Sequence, residues 1–264
     1  MTSAQKILPL VASALLAAGC TSLSSAFTSQ DPANLTYAAD AASNMKLGNE
    51  ALENKNFLEA EKYFEYVRSK YPYLEAAKEA ELRLADTDFD RDQFASARDK
   101  YANFVKLHPT HPQVDYAAFR SAMTHYKEIP SDYFFLPPSF EKDQTEVRNA
   151  VRAMSDFVRG YPASKYQEEA KKIVADSRRR LGEHEMYVAE FYAKREKWPA
   201  VVQRLKTVVD QYSGLGLDER ALFGLHEAYL KLNDDARAKE ALRTLVTRLP
   251  NTLAAERAQK LLGP

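Results

Sequence analysis

A small apolar residue followed four positions later by a large one recurs five times along the chain: Ala60/Phe64, Ala97/Tyr101, Ala150/Met154, Val201/Leu205 and Ala238/Leu242. A spacing of four keeps both side chains on one face of a helix. There the small member lets a neighbouring helix approach, and the large member fills the gap one turn later. Four copies end in a shared phrase, "VRSKYP", "VKLHP", "VRGYP" and "VTRLP", closing at Pro72, Pro109, Pro162 and Pro250. Proline stops a helix because it has no amide hydrogen and disfavours helical geometry in the residue before it. The pattern therefore predicts pairs of helices, the second of each pair cut off by a proline. The remaining copy has Tyr212-Ser213 at that place, so its end is less sharply marked.

Aligned on these ends, the chain has the helix-turn-helix pattern of a tetratricopeptide repeat. Its first copy carries Leu47-Gly48, Ala51, Phe57, Ala60, Phe64, Val67 and Pro72. The expected fold is all-α, a superhelix of about five helical hairpins. The anchors at 72, 109, 162, 213 and 250 stand 37, 53, 51 and 37 residues apart, against a standard repeat of about 34. The first excess, "KEIPSDYFFLPPSFEKDQTE", predicts an inserted aromatic loop over 130–145, with Tyr133, Phe134 and Phe135 among prolines. Loops that leave a solenoid on one face often carry binding function. The second excess has a single glycine, Gly182, before Pro199. It predicts one long helix from about Lys165 to Lys194, roughly 45 Å at 1.5 Å per residue, with a break at Gly182 as the alternative. Three repeats then fall in 35–162, and the long helix with two more repeats in 163–264.

The amino terminus has a different pattern. "MTSAQKILPLVASALLAAGC" has a polar start with Lys6, then an apolar run from Ile7 to Ala18 that is too short to span a bilayer and fits a signal peptide over 1–19. The small residues Ala17, Ala18 and Gly19 precede Cys20, the one cysteine in the chain. This resembles a bacterial lipobox, although the usual leucine three positions before the cysteine is Ala17 here. A lone thiol has no disulfide partner, and the resemblance implies that it carries covalent lipid, the only prosthetic group expected. Two or three acyl chains on one cysteine make a stable anchor, where one gives marginal affinity. The following "CTSLSSAFTSQDPAN", residues 20–34, reads as a flexible tether of up to ~45 Å. Thr21 in place of aspartate resembles outer-membrane sorting.

Composition narrows the functional classes. Basic and acidic residues number 37 each, and removal of 1–19 with Lys6 leaves a formal charge of −1. That balance excludes the clustered basic footprint of a nucleic-acid binder. No Walker loop, Gly-x-Ser-x-Gly or His-Glu-x-x-His occurs, so no enzyme is expected. His108, His111 and Asp115 superficially suggest a metal site, but their prolines mark a turn between repeats, with Thr110 or His111 available to cap the next helix. Asp86, Asp88, Asp90 and Asp92 point in different directions on a helix, and no calcium-loop glycine follows. Arg178–Arg180 read as a solvated face with acidic neighbours. Tyr63, Phe64, Tyr66, Tyr71 and Tyr73 crowd the first hairpin; alternate ones belong to the core, and Tyr63 or Tyr66 could face a groove.

Three phrases, "LHPTHPQVDYAAFRSAMTHY", "FVRGYPASKYQEEAKK" and "EHEMYVAEFYAKREKWPAVVQRL", together with the lipobox and five-repeat layout, resemble the BamD (YfiO) family of outer-membrane lipoproteins. The aromatic insertion at 133–140 and Ser213 in place of proline depart from its pattern. The resemblance implies a non-enzymatic scaffold of the barrel assembly machine, lipid-anchored on the periplasmic face of the outer membrane. Its implied partners are the POTRA domains of BamA, other lipoproteins of the complex and unfolded outer-membrane proteins. Arg204 corresponds to a family arginine at the BamA contact, with Tyr192 and Arg195 as companions. Tyr63, Tyr66 and Tyr71 are expected to receive the aromatic end of a substrate strand. The competing expectation is another periplasmic repeat lipoprotein that organises envelope or peptidoglycan assembly.

Overall fold

Each helix packs mainly on its neighbours in sequence, which is how a solenoid builds a core one layer at a time. The computed structural model describes residues 35–130 and 138–263. The signal segment, Cys20, residues 20–34 and the aromatic run Tyr133–Phe135 lie outside the described residues. Eleven α-helices follow in order among them: α1 Ala41–Glu53, α2 Phe57–Lys70, α3 Glu75–Asp90, α4 Phe94–Leu107, α5 Val114–Lys127, α6 Thr145–Gly160, α7 Gln167–Ala193, α8 Trp198–Gln211, α9 Asp218–Lys231, α10 Asp235–Arg248 and α11 Leu253–Leu262. They pair as five hairpins, α1/α2 to α9/α10, closed by α11. This is the all-helical tetratricopeptide architecture that the spacing predicts.

All five small–large pairs are buried. Ala60, Phe64, Ala97, Tyr101, Ala150, Met154, Ala238 and Leu242 are fully enclosed, and Val201 and Leu205 nearly so. In the first hairpin the small partner across the interface is Gly48, where a Cβ would stand 2.6 Å from the Phe64 ring. The turn inside the hairpin repeats as well. Lys55, Asp92, Glu196 and Asn233 all have φ between 55° and 60°, one in each hairpin except α5/α6. That hairpin carries the insertion instead. Side chains at such φ values are uncommon, so the recurrence marks one turn design used four times.

Three apolar clusters follow one another along the array. The first joins α1, α2 and α3; the second runs from α3 to Ile173 in the first half of α7; the third begins at Met186 in its second half. Helix α7 therefore belongs to two layers, its start packed on α6 and its end on α8. Its 27 residues run through Gly182 without a break, a length of about 40 Å. The glycine is there for space. A Cβ at 182 would lie 2.5 Å from Leu217 Cδ1 and 3.1 Å from Tyr212 Cβ, so the α8–α9 turn sits directly on the helix backbone.

Gly160 at the end of α6 meets nothing within 4 Å. Gly182→Ala gains about 1 kcal/mol of helix propensity, but overpacking against buried Leu217 costs about 1–3 kcal/mol. Urea denaturation should therefore show Gly182→Ala destabilised by about 1 kcal/mol and Gly160→Ala unchanged or slightly more stable. The opposite order would mean that the α8–α9 turn can lift from α7.

Candidate functional site

The first hairpin gathers the nominated tyrosines and adds one. Tyr37 stacks on Tyr66 at 4.1 Å and meets Tyr63 edge-on at 5.8 Å, while Tyr66 meets Tyr71 edge-on at 6.2 Å. The Tyr71 hydroxyl donates to the Ala39 carbonyl at 2.9 Å, fastening the segment before α1 to the end of α2. Tyr63 is 5% exposed, and neighbouring Phe64 is fully buried, so side chains that the sequence treats as alternating are both inside. Burial, then Glu59 and Tyr37, raises the Tyr63 phenol above its ordinary pKa. Tyr66 and Tyr71 remain half-buried, leaving those two and Tyr37 as the reachable part of the cluster.

Helix α3 shows why its aspartates are not a catalytic set. Asp86 and Asp88 are each 3% exposed. Asp86 accepts from the Tyr101 hydroxyl at 2.5 Å, the Tyr116 hydroxyl at 2.8 Å and Arg83 at 2.9 Å, with Arg120 at 3.9 Å. Asp88 accepts from Ser96 at 2.5 Å and Lys100 at 2.8 Å. The two carboxylates thus face different neighbours, as their spacing predicts. Their donors come from α3, α4 and α5, so the network locks the second repeat to the third. Burial, and next the Asp86 charge, push the Tyr101 and Tyr116 phenols far above their ordinary pKa.

The other tempting clusters are also occupied. His108 bonds Glu81 at 2.8 Å, His111 bonds Glu75 at 2.8 Å, and Asp115 accepts from Ser164 at 2.7 Å, so the three do not converge. His111 also accepts from the Gln113 amide through Nδ1, but Gln113 itself is the N-cap of α5 and no side chain caps the helix, so neither Thr110 nor His111 takes the capping role expected. A second group, His125, Glu128 and Glu146, brings possible ligand atoms within 4.8 Å. Arg98 already supplies the positive charge there, bonding Glu128 at 2.5 Å and the His125 Nε2 at 3.3 Å. With Nε2 accepting, Nδ1–H donates to Glu146 at 2.9 Å. Arg178 bonds the Gln211 carbonyl at the end of α8, Arg179 pairs with Glu183, and Arg180 donates to the Pro130 carbonyl. Arg179 therefore has the acidic neighbour that the sequence suggests, while Arg178 is used on a helix-end carbonyl. The 3₁₀ turn Ser139–Glu141 holds the far side of the insertion on α7, where His184 donates to the Phe140 carbonyl.

The carboxy-terminal half is more open. Helices α7, α9 and α11, with α8 beneath them, line a groove of about 660 Å³. Met186, Ala189 and Leu205 form its floor, and Trp198 and Phe223 its walls. A Cβ at Gly224 would lie 2.8 Å from Leu205, so this glycine keeps the floor deep. Glu190 pairs with Arg220 at 3.3 Å on the rim, and the Arg257 guanidinium lies 4.7 Å from the Phe223 ring centre. Leu230 and Leu261, at the ends of α9 and α11, are about half exposed.

Next to this groove, the structure brings two of the three nominated partner residues together. Phe191 joins them: the Arg195 guanidinium lies 3.6 Å over its ring, and Tyr192 meets it edge-on at 5.6 Å. Arg204 stands apart, donating to Glu185 at 3.1 Å with its side chain 38% exposed. Glu185 precedes Tyr192 by seven residues on α7 and so shares its face, about 10 Å away. Phe191, Tyr37, the Asp86 network and the groove are not legible in the sequence: aromatic character is the one local signal that Phe191 and Tyr37 carry, because exposure and long-range pairing leave no local pattern.

Loss of the phenolic proton should destabilise the fold in alkali. Below about pH 10 both states hold the Tyr101 and Tyr116 protons; above it the unfolded chain releases them while the folded chain does not. Stability therefore falls as pH rises, by about 1.4 kcal/mol per pH unit for each phenol. Urea titrations between about pH 10 and 12 should show Tyr101→Phe with a slope shallower by about that amount. An unchanged slope would show that the Tyr101 proton is not linked to folding.

A family described as YfiO, outer membrane lipoprotein, matches residues 38–259, and the chain belongs to it. Among curated relatives, an outer membrane protein assembly factor BamD from Neisseria gonorrhoeae is 29% identical over 203 residues, covering 76% of each chain. Its Haemophilus influenzae counterpart is 25% identical over 252 residues, covering 94% of this chain and 92% of its own. Among solved structures, the TPR2AB domain of yeast Sti1 aligns with TM-score 0.44 and 11% identity, over 84% of this chain and 82% of that one.

Proposed function

We propose that this chain is a non-enzymatic assembly factor for outer-membrane proteins, lipid-anchored through Cys20 and working as the scaffold of a barrel assembly machine. The family match along the whole repeat array carries this reading. Both halves of the array lie within the match, which supports extending to this chain the division of labour that the resemblance implies. The carboxy-terminal half, with Arg204, Arg195 and Tyr192, contacts POTRA domains of a BamA-like barrel protein. The tyrosines of the first hairpin receive unfolded outer-membrane proteins. Other lipoproteins of the same machine complete the complex. No helix of the described residues is long and apolar enough to cross a membrane, which suits attachment by acyl chains.

Arg204 has the chemistry for a partner contact. Glu185 takes one Nη1 hydrogen and holds the guanidinium at the surface, leaving donors for a second carboxylate. Removing one partner of a desolvated, hydrogen-bonded pair costs about 2–5 kcal/mol. Arg204→Glu in the acylated protein should therefore reduce recovery of a POTRA-bearing barrel protein from detergent-solubilised outer membranes by more than about tenfold. Undiminished recovery would remove Arg204 from the interface. Recovery of peptidoglycan-organising proteins in place of any barrel protein would favour another role in the envelope.

The substrate surface is tested separately. Photocrosslinking of a peptide with an aromatic carboxy-terminal strand should weaken several-fold in Tyr66→Ala and in Tyr71→Ala, since each ring loses about 0.5–1.5 kcal/mol of aromatic contact. Tyr63→Ala should instead lower thermal stability, because its ring lies inside. Equal crosslinking in all three variants would place the substrate elsewhere.

A further inference from the structure

Every second turn of a helical array falls on the same edge, and hydrogen bonds trace that edge through the first three repeats. Tyr71, after α2, bonds Ala39, before α1. His111, between α4 and α5, bonds Glu75 at the start of α3. Ser164, between α6 and α7, bonds Asp115 at the start of α5. Among the described residues of this half, five large apolar side chains are exposed: Tyr37 39%, Leu58 56%, Tyr73 99%, Leu74 50% and Leu107 63%. All but Leu58 stand on this edge. The carboxy-terminal half presents Phe191, Leu230 and Leu261 at the other ends of its helices, around the groove, and Leu253, 84% exposed, at the start of α11 on the same edge as Leu74.

We infer that the edge formed by residues 37–40, 71–75, 107–113 and 161–166 rests on the headgroup–acyl interface of the phospholipid leaflet that holds the anchor. This rests on the lipid-anchored reading above. The chain reaches this edge first: Tyr37 stands seventeen residues after Cys20, a span of at most about 60 Å. A tether that short holds the edge at high effective concentration near the leaflet, so a contact too weak for a free protein is populated.

The composition suits an interface in which one side of each residue is apolar and the other wet. Tyr73 and Tyr37 are amphipathic rings of the kind enriched at that depth. Leu74 and Leu107 supply aliphatic contact beside them. Pro72, Pro109, Pro112 and Pro162 present no amide hydrogen to be stripped of water. The carboxylates of the edge are engaged internally: Asp40 caps α1, Glu75 pairs with Lys78 and His111, and Asp115 holds Ser164. Lys70 and Lys106, in the last turns of α2 and α4, are exposed on the same edge and can reach lipid phosphates.

The test uses full-length acylated protein in vesicles of phosphatidylethanolamine and phosphatidylglycerol containing brominated acyl chains. With Trp198→Phe removing the native signal, Tyr73→Trp reports this edge and Gln93→Trp the opposite one. Flotation with the vesicles reads the anchor independently. Tyr73→Trp should be blue-shifted and quenched at least about twofold, as an interfacial indole is, and Gln93→Trp should be unaffected. If the protein floats but the two reporters behave alike, the edge does not meet the bilayer while the anchor stands. If it does not float, the anchor fails and the inference with it.

Discussion

The close approach of small side chains to large ones across each hairpin is the constraint that the array depends on. Ala60 against the first hairpin's core, and its counterparts Ala97, Ala150 and Ala238, are completely enclosed. Nothing larger than a methyl group fits there without moving a helix, because protein interiors are packed to crystal-like density. Gly48 beneath Phe64 takes the principle to its limit. Once these distances are set, the same left-handed turn closes four of the hairpins, and all turns of one kind emerge along one edge. Edge and groove are thus consequences of helix separation.

Helix α7 changes what that regularity delivers. It serves the second apolar cluster up to Ile173 and the third from Met186. The thirteen-residue step from one to the other displaces one half of the array along the helix by about 20 Å. Arg178, Gly182 and Leu217 hold this displacement: the arginine satisfies an α8 carbonyl, and the glycine admits the leucine. A generic arginine run is in part a joint. Its neighbour Arg180 secures one flank of the insertion, and Phe140, 5.9 Å from the Tyr187 ring, secures the other.

What could be read beforehand was what is local. Hairpins, proline stops and the long helix all follow from spacings shorter than one repeat. Pairings between repeats were not legible. His108 meets Glu81 across 27 positions and Tyr116 meets Asp86 across 30, and nothing in either neighbourhood announces its partner. The tyrosine cluster lies between these cases. Its crowding was visible, but Tyr63 is a core ring and Tyr37, from before α1, completes the stack. Arg204 was marked by resemblance alone; that Glu185 holds it is a finding of the structure.

Charge is used in two ways along the array, buried as a lock between layers, as also at Asp218 with Arg248, Ser213 and the Gly214 amide, and exposed in surface pairs. In the second and third repeats the Asp86, Asp88 and His125 networks face inward, so their residues act as locks between layers. In the carboxy-terminal half, the Glu190–Arg220 pair and Arg257 stand on a groove rim, and Arg195 lies over an exposed Phe191. Exposed pairs contribute little to stability, typically about 0–1 kcal/mol, so exchanging them for a partner's charges costs little. Buried networks cannot be exchanged that way without leaving a charge unsatisfied. Buried networks thus fix the packing between layers, whereas the pairs on the groove rim stay exchangeable, and the continuous α7 joins the two halves.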